Sequence, residues 1–174
     1  SAPGKLTFSV KMHTPHQSSA LLQSKDELRL RGQVETDGVR FESRLRVIPA
    51  GGDVEEHNDS ISVQDANSAL LLLSAATSFK NYKDISADPA IHCEKALKAA
   101  AKKDYKTLLA AHQSDHQKLF RRVQLDLGKT GSCELPTDQR LKRVLQEPDP
   151  QLVTLYFQFG RYLLIASSRA GSRT

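Results

Sequence analysis

The sequence predicts an α+β protein, in which antiparallel β-sheet is followed by helices. Through the first 80 residues apolar and polar side chains alternate, as they do along half-buried strands. From about Phe79 the apolar spacing changes to three and four residues, which is typical of helices. The last long segment, residues 149–168, is apolar almost all the way round.

The first strand-like segment is KLTFSVKMH, where every second residue is apolar and shares one face of a predicted sheet. These residues are Leu6, Phe8, Val10 and Met12. LRLRGQV at 28–34 continues the alternation, and a second alternating run follows the turn TDG at 39–47. Two such runs joined by a short turn predict an antiparallel hairpin.

Two more strands are predicted before the helices. The turn AGGD at 50–53 leads through a polar stretch to ISV at 61–63, which is a short strand. ALLLLSAAT at 69–77 is apolar at successive positions, which favours a strand covered on both of its faces.

The first two predicted helices have clear starting residues. SADP begins the first, with Ser86 or Asp88 as its cap and Pro89 in its first turn. Asp104 can cap the second, in which six residues share one face through spacings of three and four. They are Tyr105, Leu108, His112, His116, Leu119 and Phe120.

The segment that follows predicts one strand and two helices. RRVQLDLG at 121–128 alternates again and predicts a strand, with Val123, Leu125 and Leu127 facing inward. The third helix begins with Thr137 or Asp138 as its cap, and the fourth begins with Asp149 as cap and Pro150 in its first turn.

The fourth helix has apolar side chains on every side. They are Leu152, Val153, Leu155, Tyr156, Phe157, Phe159, Tyr162, Leu163, Leu164 and Ile165. Burying each large side chain is worth about 1.5–3 kcal/mol, so such a helix belongs in the interior of something larger. We therefore expect the chain to be a piece of a longer protein, able to self-associate through residues 152–165 if they are exposed.

Composition excludes several classes of protein. The formal net charge of +5 is spread along the chain and aromatic residues make up 6%, which argues against nucleic-acid binding. Gln158, Gly160 and Arg161 interrupt the most apolar segment, which argues against a membrane span. Cys93 and Cys133 leave open a disulfide, two free thiols or one of each. No cofactor is expected.

His112 and His116 are the candidate metal ligands, because they lie four residues apart on one helical face with Asp115 beside them. The spacing suits a two-histidine metal site. The glutamate of an HExxH motif is missing and no third ligand stands out. Packing at the edge of a core explains the two histidines equally well.

DVEEHNDS at 53–60 gathers the residues that could form a pair of catalytic carboxylates. They are Asp53, Glu55, Glu56 and Asp59. Glycoside hydrolysis needs two such groups, one to protonate the leaving oxygen and one to activate water. These carboxylates lie in a polar stretch between two predicted strands, which favours a solvated surface loop instead.

SSRAGS at 167–172 ends the apolar helix and offers one candidate substrate contact. Arg169 could donate hydrogen bonds to an anion or a sugar hydroxyl. Gly171 could equally be the residue that terminates the helix.

The order of four segments resembles glycoside hydrolase family 95. They are AATSFKNYKDISADP, HQSDHQKLFRRVQLDLG, LPTDQRL and DPQLVTLYFQFGRYLLIASSRAGS. The resemblance runs from about Leu28 to the end of the chain, and FQFGRYLLIASSR is its most distinctive part. The family is that of the α-L-fucosidases, which act chiefly on α-1,2-linked fucose, with some members acting on related galactosides.

The resemblance implies three parts. Residues 1–80 would be the C-terminal part of a β-sandwich domain, and residues 81–135 a helical linker with a returning strand. Residues 136–174 would be the first helices of a truncated (α/α)6 catalytic barrel. The parent protein is expected to be secreted or periplasmic and to act on fucosylated oligosaccharides or glycans.

The resemblance also implies inverting hydrolysis, with a glutamic acid as general acid and an asparagine-assisted aspartate activating water. These residues are expected beyond Thr174, so this piece alone is expected to be inactive. Gln158 or Arg169 could lend a supporting contact to the substrate site. Ala170 stands where the family pattern has proline. The alternative is a non-catalytic carbohydrate-binding or structural β-domain, although the lack of Trp argues against sugar stacking.

Overall fold

The computed structural model describes residues 4–169, apart from the side chains of residues 17–23. The strands are β1 (Leu6–Lys11), β2 (Gln17–Ser24), β3 (Glu27–Gln33), β4 (Arg40–Ala50), β5 (Asp53–His57), β6 (Ser60–Ala66) and β7 (Ser68–Thr77). The α-helices are α1 (Pro89–Ala100), α2 (Tyr105–Phe120), α3 (Thr137–Arg143) and α4 (Pro150–Ser167), with a short 3-10 turn at Gly131–Glu134. The chain forms two compact units, one ending at Leu108 and one beginning at Leu109.

Two antiparallel sheets make up most of the first unit. One sheet has the strand order β1-β6-β5 and the other β2-β3-β4-β7. Leu28 and Val47 of the second sheet pack against Ile61, Val63 and Ala66 of the first, and all five are at most 1% exposed. The alternation of apolar residues therefore produces the predicted α+β class, with a sandwich core.

The opposite face of the four-stranded sheet carries charged residues, because side chains alternate along each strand. Glu27, Glu42 and Arg44 are buried there beneath α1. Glu42 accepts hydrogen bonds from Arg44 Nε and from Arg31 Nε, the latter over 2.6 Å, and Glu27 accepts one from Arg46 Nη2 over 3.0 Å. Pairing is required, because a buried charge without a partner is strongly destabilising.

The turn between β4 and β5 depends on Gly52. Its φ is +74°, in the left-handed region that favours glycine. A Cβ atom at this position would lie 2.1 Å from the Gln64 carbonyl oxygen and 2.6 Å from the Ala66 amide nitrogen. The AGGD turn thus brings the backbone of β6 close to residue 52.

Several details of the predicted strands are wrong. β2 and β5 were not predicted as strands, and β5 occupies most of the stretch interpreted as a loop. QSSALLQS of β2 lacks strict alternation, and β5 is an exposed edge strand rich in acidic residues. Charged residues are common on edge strands, because they discourage pairing with other chains.

β7 is not covered on both faces in the described part of the chain. Leu72 is buried on the face next to α1, while Leu73 on the opposite face is 67% exposed. Leu73 is paired with Leu45, so it lies on the sandwich side of the sheet. β7 is the edge strand of a four-stranded sheet that faces a three-stranded one. Its inner face therefore extends beyond the three-stranded sheet and is not covered by it.

The predicted returning strand is also absent, since residues 123–130 have no strand pairing. Val123 and Leu127 remain exposed, and the Val123 carbonyl accepts a hydrogen bond from Arg161 instead of from a neighbouring strand. Alternating apolar and polar residues indicate a segment with one buried and one exposed face. A strand also needs a neighbouring strand whose backbone forms hydrogen bonds with its own. The division at 80 and 135 stays a prediction.

Three of the four helix starts are confirmed. Asp88 accepts a hydrogen bond from the Ala90 amide, Asp104 from Thr107 and Asp149 from Leu152. The third start is wrong, because α3 begins after Pro136, which has no side chain that can cap it. Cys93 and Cys133 are free thiols. No helix within residues 4–169 is long and apolar enough to cross a bilayer.

Candidate functional site

In the second unit, α2 and α4 meet around Arg161, the only charged residue of α4. The last carbonyl groups of a helix lack intrahelical partners and need donors from elsewhere. Arg161 Nη2 donates to the carbonyl oxygens of Phe120 at 2.8 Å and Leu119 at 3.2 Å. Its Nη1 donates to the Val123 carbonyl oxygen at 2.9 Å. One side chain of α4 therefore caps the end of α2.

Gln158 and Phe120 orient this guanidinium. Gln158 Oε1 accepts a hydrogen bond from Arg161 Nη1 at 2.7 Å. The Arg161 guanidinium carbon lies 4.9 Å from the centre of the Phe120 ring, within the range of a cation–π contact. Gln158, a candidate for a supporting substrate contact, is thus engaged in holding Arg161. The planar guanidinium group of arginine offers several N–H donors to the carbonyl groups at the end of α2. The ammonium group of lysine does not provide this planar arrangement.

The two candidate metal ligands lie in a row of aromatic contacts. The His112 and His116 rings stack with centroids 6.2 Å apart, and His116 stacks on Phe120 at 5.1 Å. The Tyr162 ring of α4 meets the edge of His116 at 6.0 Å. Within the described residues, no group of three histidine, cysteine or acidic side chains could hold a metal ion. His116 is half-buried and His112 is exposed, and the choice between a metal site and packing stays a prediction.

Arg169 pairs with Asp115, so the end of the α4 segment is tied to α2 a second time. This places Arg169, the candidate substrate contact, beside the histidine row. Ala170 and Gly171 of the SSRAGS motif lie outside the described residues. Arg161 and Arg169 therefore connect the α4 segment to α2 at two points.

The acidic stretch at 53–60 lies at the surface of the first unit. Its carboxylates lie on the exposed strand β5 and the turn after it. Asp59 Oδ2 accepts a hydrogen bond from Lys11 Nζ at 2.9 Å, and Glu55 accepts one from Gln64 at 3.3 Å. The bond from Lys11 lowers the pKa of Asp59. A general acid needs a raised pKa, so the hydrogen bond from Lys11 acts against this role for Asp59.

Two concave surfaces were not anticipated from the sequence. In the first unit a cavity of about 310 Å³ lies between the four-stranded sheet and the start of α1, with Arg31, Gln33 and Asp88 among its lining residues. In the second unit α3 and α4 form an apolar groove of about 680 Å³. Its lining residues are Thr137, Leu141, Val144, Leu152, Val153, Leu155, Tyr156 and Phe159.

A buried ion pair sets the start of α4 beside that groove. Arg140 Nε and Nη2 donate to the two carboxylate oxygens of Asp149, each at 2.9 Å. Asp149 also caps α4 by accepting from the Leu152 amide at 3.0 Å. The hydrogen bond from Arg140 lowers the pKa of Asp149.

Sequence reasoning missed Arg161 and Arg140 as organising residues. A single arginine in an otherwise uncharged helix was a usable signal, because a charge in such a segment needs partners. Arg140 carried no such signal, since it lies among other charged residues in α3. Both side chains link helices, and neither is offered as a general acid or a general base.

Comparisons with known proteins give two matching families. Residues 104–174 match the model of the glycosyl hydrolase family 95 catalytic domain. Residues 1–82 match the model of the glycosyl hydrolase family 65 N-terminal domain. The first match includes α2, α3 and α4, with the Arg161 contacts, and the second includes all seven strands.

Three curated relatives are similar to this chain. Alpha-L-fucosidase 2 of Arabidopsis thaliana is 32% identical over 99% of this chain and 24% of its own length. Probable alpha-fucosidase A of Aspergillus niger is 43% identical over 42% of this chain and 9% of its own length. Probable alpha-fucosidase A of Aspergillus oryzae is 28% identical over 84% of this chain and 22% of its own length.

The chain therefore spans at most about a quarter of the length of these relatives. The similarity to the Arabidopsis protein runs through both units, and the catalytic-domain match covers the second. On these findings the chain is similar to glycoside hydrolases over nearly its whole length, with the family 65 N-terminal domain model matching residues 1–82 and the family 95 catalytic domain model matching residues 104–174.

Proposed function

We propose that this chain is part of an α-L-fucosidase-like glycoside hydrolase that removes terminal α-linked fucose from oligosaccharides or glycans with inversion. The observation that carries the proposal is the family 95 catalytic-domain match over residues 104–174. That range contains the helices organised by Arg161 and Arg140. The names of the curated relatives support fucose as the sugar.

Within this proposal the chain supplies scaffold rather than catalytic groups. The β-domain precedes α3 and α4, which would be the first helices of an (α/α)6 barrel. The exposed carboxylates of β5, and Asp59 with its lowered pKa in the turn after this strand, support the proposal that these 174 residues alone do not hydrolyse sugar. Gln158 and Arg169 would support the substrate site indirectly, by fixing the position of α4 against α2.

Two further properties belong to the proposal. The parent protein is secreted or periplasmic, as the family resemblance implies. The chain by itself self-associates through residues 152–165, because most of the large apolar side chains of α4 are exposed. Contiguous apolar surface of this kind is usual at interfaces and rare on monomers.

The test measures hydrolysis of 2-fucosyllactose by this chain and by a longer polypeptide that extends it through a complete family 95 catalytic domain. Activity in the longer polypeptide alone is the expected result. Activity in the 174-residue chain would overturn the scaffold role and would return attention to Asp53, Glu55, Glu56 and Asp59. A folded but inactive longer polypeptide would overturn the fucosidase assignment.

Binding without catalysis is the second candidate function, and the cavity of about 310 Å³ in the first unit favours it. Arg31 and Gln33 line that cavity and could donate hydrogen bonds to sugar hydroxyls. Titration calorimetry of this chain with 2-fucosyllactose would detect such binding. An Arg31→Ala variant that binds equally well would contradict a site in this cavity.

A further inference from the structure

Helix α1 covers a charged part of the four-stranded sheet, and its apolar contact with that sheet is small. The buried residues of α1 are Cys93 and Leu97, while Ile91 is 64% exposed. The sandwich core on the other side of the same sheet contains five buried apolar residues. Because stabilisation by burial follows the apolar area removed from water, α1 is held less firmly than the strands beneath it.

The buried charges beneath α1 form their short hydrogen bonds within the sheet itself. Glu42 accepts from Arg31 Nε over 2.6 Å, and Glu27 accepts from Arg46 Nη2 over 3.0 Å. Arg44 Nε also donates to Glu42. All of these residues belong to β3 and β4. When α1 moves away, each pair keeps its partner and gains water, so no buried charge is left unpaired.

The polar contacts between α1 and the sheet are weaker than those within the sheet. Arg44 Nη2 donates to the Ala90 carbonyl oxygen over 3.4 Å, and Arg44 Nη1 lies 3.7 Å from Glu94 Oε2. Both distances are longer than a usual hydrogen bond. Cys93 Sγ donates to the Glu42 carbonyl oxygen over 3.2 Å, and a thiol is a weak donor. Detachment of α1 therefore costs little in these contacts.

The packing at the start of α1 is incomplete. The cavity of about 310 Å³ in the first unit lies there, and Asp88, Pro89 and Ala90 form part of its wall. Atoms that line a cavity have no neighbours on one side and lose the attraction that close packing provides. The first turn of α1 therefore contributes less to holding the helix than a fully packed turn would.

The chain just before α1 is anchored on the sheet and can serve as a hinge. Ser78 and Ala87 are buried, and the Ala87 amide donates to the Ser78 carbonyl oxygen over 2.9 Å. The Ser78 hydroxyl also accepts a hydrogen bond from the Arg40 amide over 3.0 Å. A hinge needs only a few residues at the end of an element, so rotation at residues 87–88 moves α1 as a unit.

We propose that α1 is a detachable cover, which swings off the four-stranded sheet about residues 87–88 while the sandwich stays folded. This opening exposes the charged face of the sheet and the Cys93 thiol, and it does not depend on the hydrolase assignment. Local openings of this kind need less free energy than global unfolding. Cys93 is 0% exposed while α1 is attached, so its reaction with a thiol reagent reports the opening.

Alkylation of Cys93 by iodoacetamide, followed by mass spectrometry, tests the proposal on the 174-residue chain with Cys133→Ser, which removes the other free thiol. The rate divided by the rate in the denatured chain gives the open fraction. This fraction should exceed the globally unfolded fraction, measured by denaturant unfolding, by about tenfold or more. It should rise only weakly with urea, because opening exposes little surface compared with global unfolding.

Two leucine-to-alanine variants in the same background separate the helix from the sandwich core. Leu97→Ala should raise the open fraction on the order of tenfold or more, because it removes a buried contact that exists only while α1 is attached. The matched control is Leu28→Ala in the sandwich core, whose contacts are the same with α1 attached or detached. This control should lower global stability and leave the open fraction unchanged.

Three results would overturn the proposal. They are an open fraction that equals the globally unfolded fraction and follows urea as steeply, an unchanged open fraction in Leu97→Ala, and an equal rise in Leu97→Ala and Leu28→Ala. The first would show that α1 and the sandwich unfold together. None of them bears on fucosidase activity, since the measurements contain no sugar.

Discussion

Leu28 and Leu73 show how position within a sheet decides how much one side chain contributes to stability. Both point to the sandwich side of the four-stranded sheet. Leu28 lies on β3, packs against β6 and is fully buried, whereas Leu73 lies on the edge strand β7 and is mostly exposed. The free energy gained by burial depends on the area removed from water, so only Leu28 contributes fully.

Replacing Leu28 by alanine should therefore lower the free energy of unfolding by about 2–5 kcal/mol. Replacing Leu73 by alanine should change it by about 0.5 kcal/mol or less. Denaturant unfolding of the two variants against the unchanged chain measures both effects. Equal losses would mean that the inner face of β7 is buried in solution.

Gly52 is the residue where backbone geometry permits no side chain. Gly52→Ala should destabilise the first unit by more than about 1 kcal/mol, because alanine would adopt a left-handed φ and press on the Gln64 carbonyl. The matched control is Gly131→Ala, where a Cβ atom meets nothing within 4 Å. Thermal unfolding compares the two variants, and similar unfolding midpoints would contradict the strain expected for alanine at residue 52.

At the scale of elements, the α2–α4 pair depends on Arg161 more than on apolar packing. α2 has no fully buried residue and α4 has one, Leu152, so the apolar contact between them is limited. Arg161 instead satisfies the carbonyl groups of Leu119, Phe120 and Val123. Hydrogen bonds from a charged donor are worth more than neutral ones, so this link is strong.

Arg161→Lys should loosen the last turn of α2 while keeping the positive charge. Lysine cannot reach three carbonyl groups with a planar fork. Hydrogen exchange of the amides at the end of α2 should accelerate about tenfold or more. The control Gln158→Ala removes one acceptor and should have a smaller effect. Unchanged exchange in Arg161→Lys would show that packing alone fixes this helix end.

At the scale of the whole molecule, charge is organised as pairs across elements rather than as a patch. Glu27, Glu42 and Arg44 link β3 and β4 beneath α1, and Arg140 and Asp149 link α3 to the start of α4. Both sets are buried, so their hydrogen-bonded geometry matters more than that of surface ion pairs. The net charge of +5 therefore belongs to the surface, because the buried charged residues in the described part of the chain are three carboxylates and two arginines.

Acid should destabilise the chain, because five carboxyl groups have pKa values below their ordinary range in the folded state. Hydrogen bonds from neighbouring side chains are the main cause, and for Asp84 they lower the pKa to about 2. The groups are Asp59, Asp84, Glu94, Asp104 and Asp149. A carboxyl group with a lowered folded pKa stabilises the fold at pH values above its unfolded pKa of about 4. This stabilisation is lost as the pH falls through the folded pKa.

Calorimetry should therefore show a falling unfolding midpoint below about pH 4. Asp149→Asn keeps a capping side chain but has no carboxyl group to protonate, so its midpoint should be lower at neutral pH and should fall less on acidification. An unfolding midpoint that stays constant down to pH 2 would contradict this account.

Local patterns along the chain determined the class of fold and most of its elements. The strand of residues 6–11, the hairpin around residues 36–38 and the caps Asp88, Asp104 and Asp149 follow from interactions between residues close in sequence. Such interactions are the same in any context, so they can be inferred before the fold is known. The shared face of His112 and His116 follows from helical spacing in the same way.

The tertiary structure alone decided which of these elements are covered and which side chains are linked. The edge position of β7, the missing strand at 123–130, the buried Glu42–Arg44 pair and the role of Arg161 each depend on residues distant in the chain. The sequence by itself determined periodicity, caps and the resemblance to family 95. Burial and hydrogen-bond partners were decided only by the folded chain, because they are properties of pairs of elements and no single segment contains them.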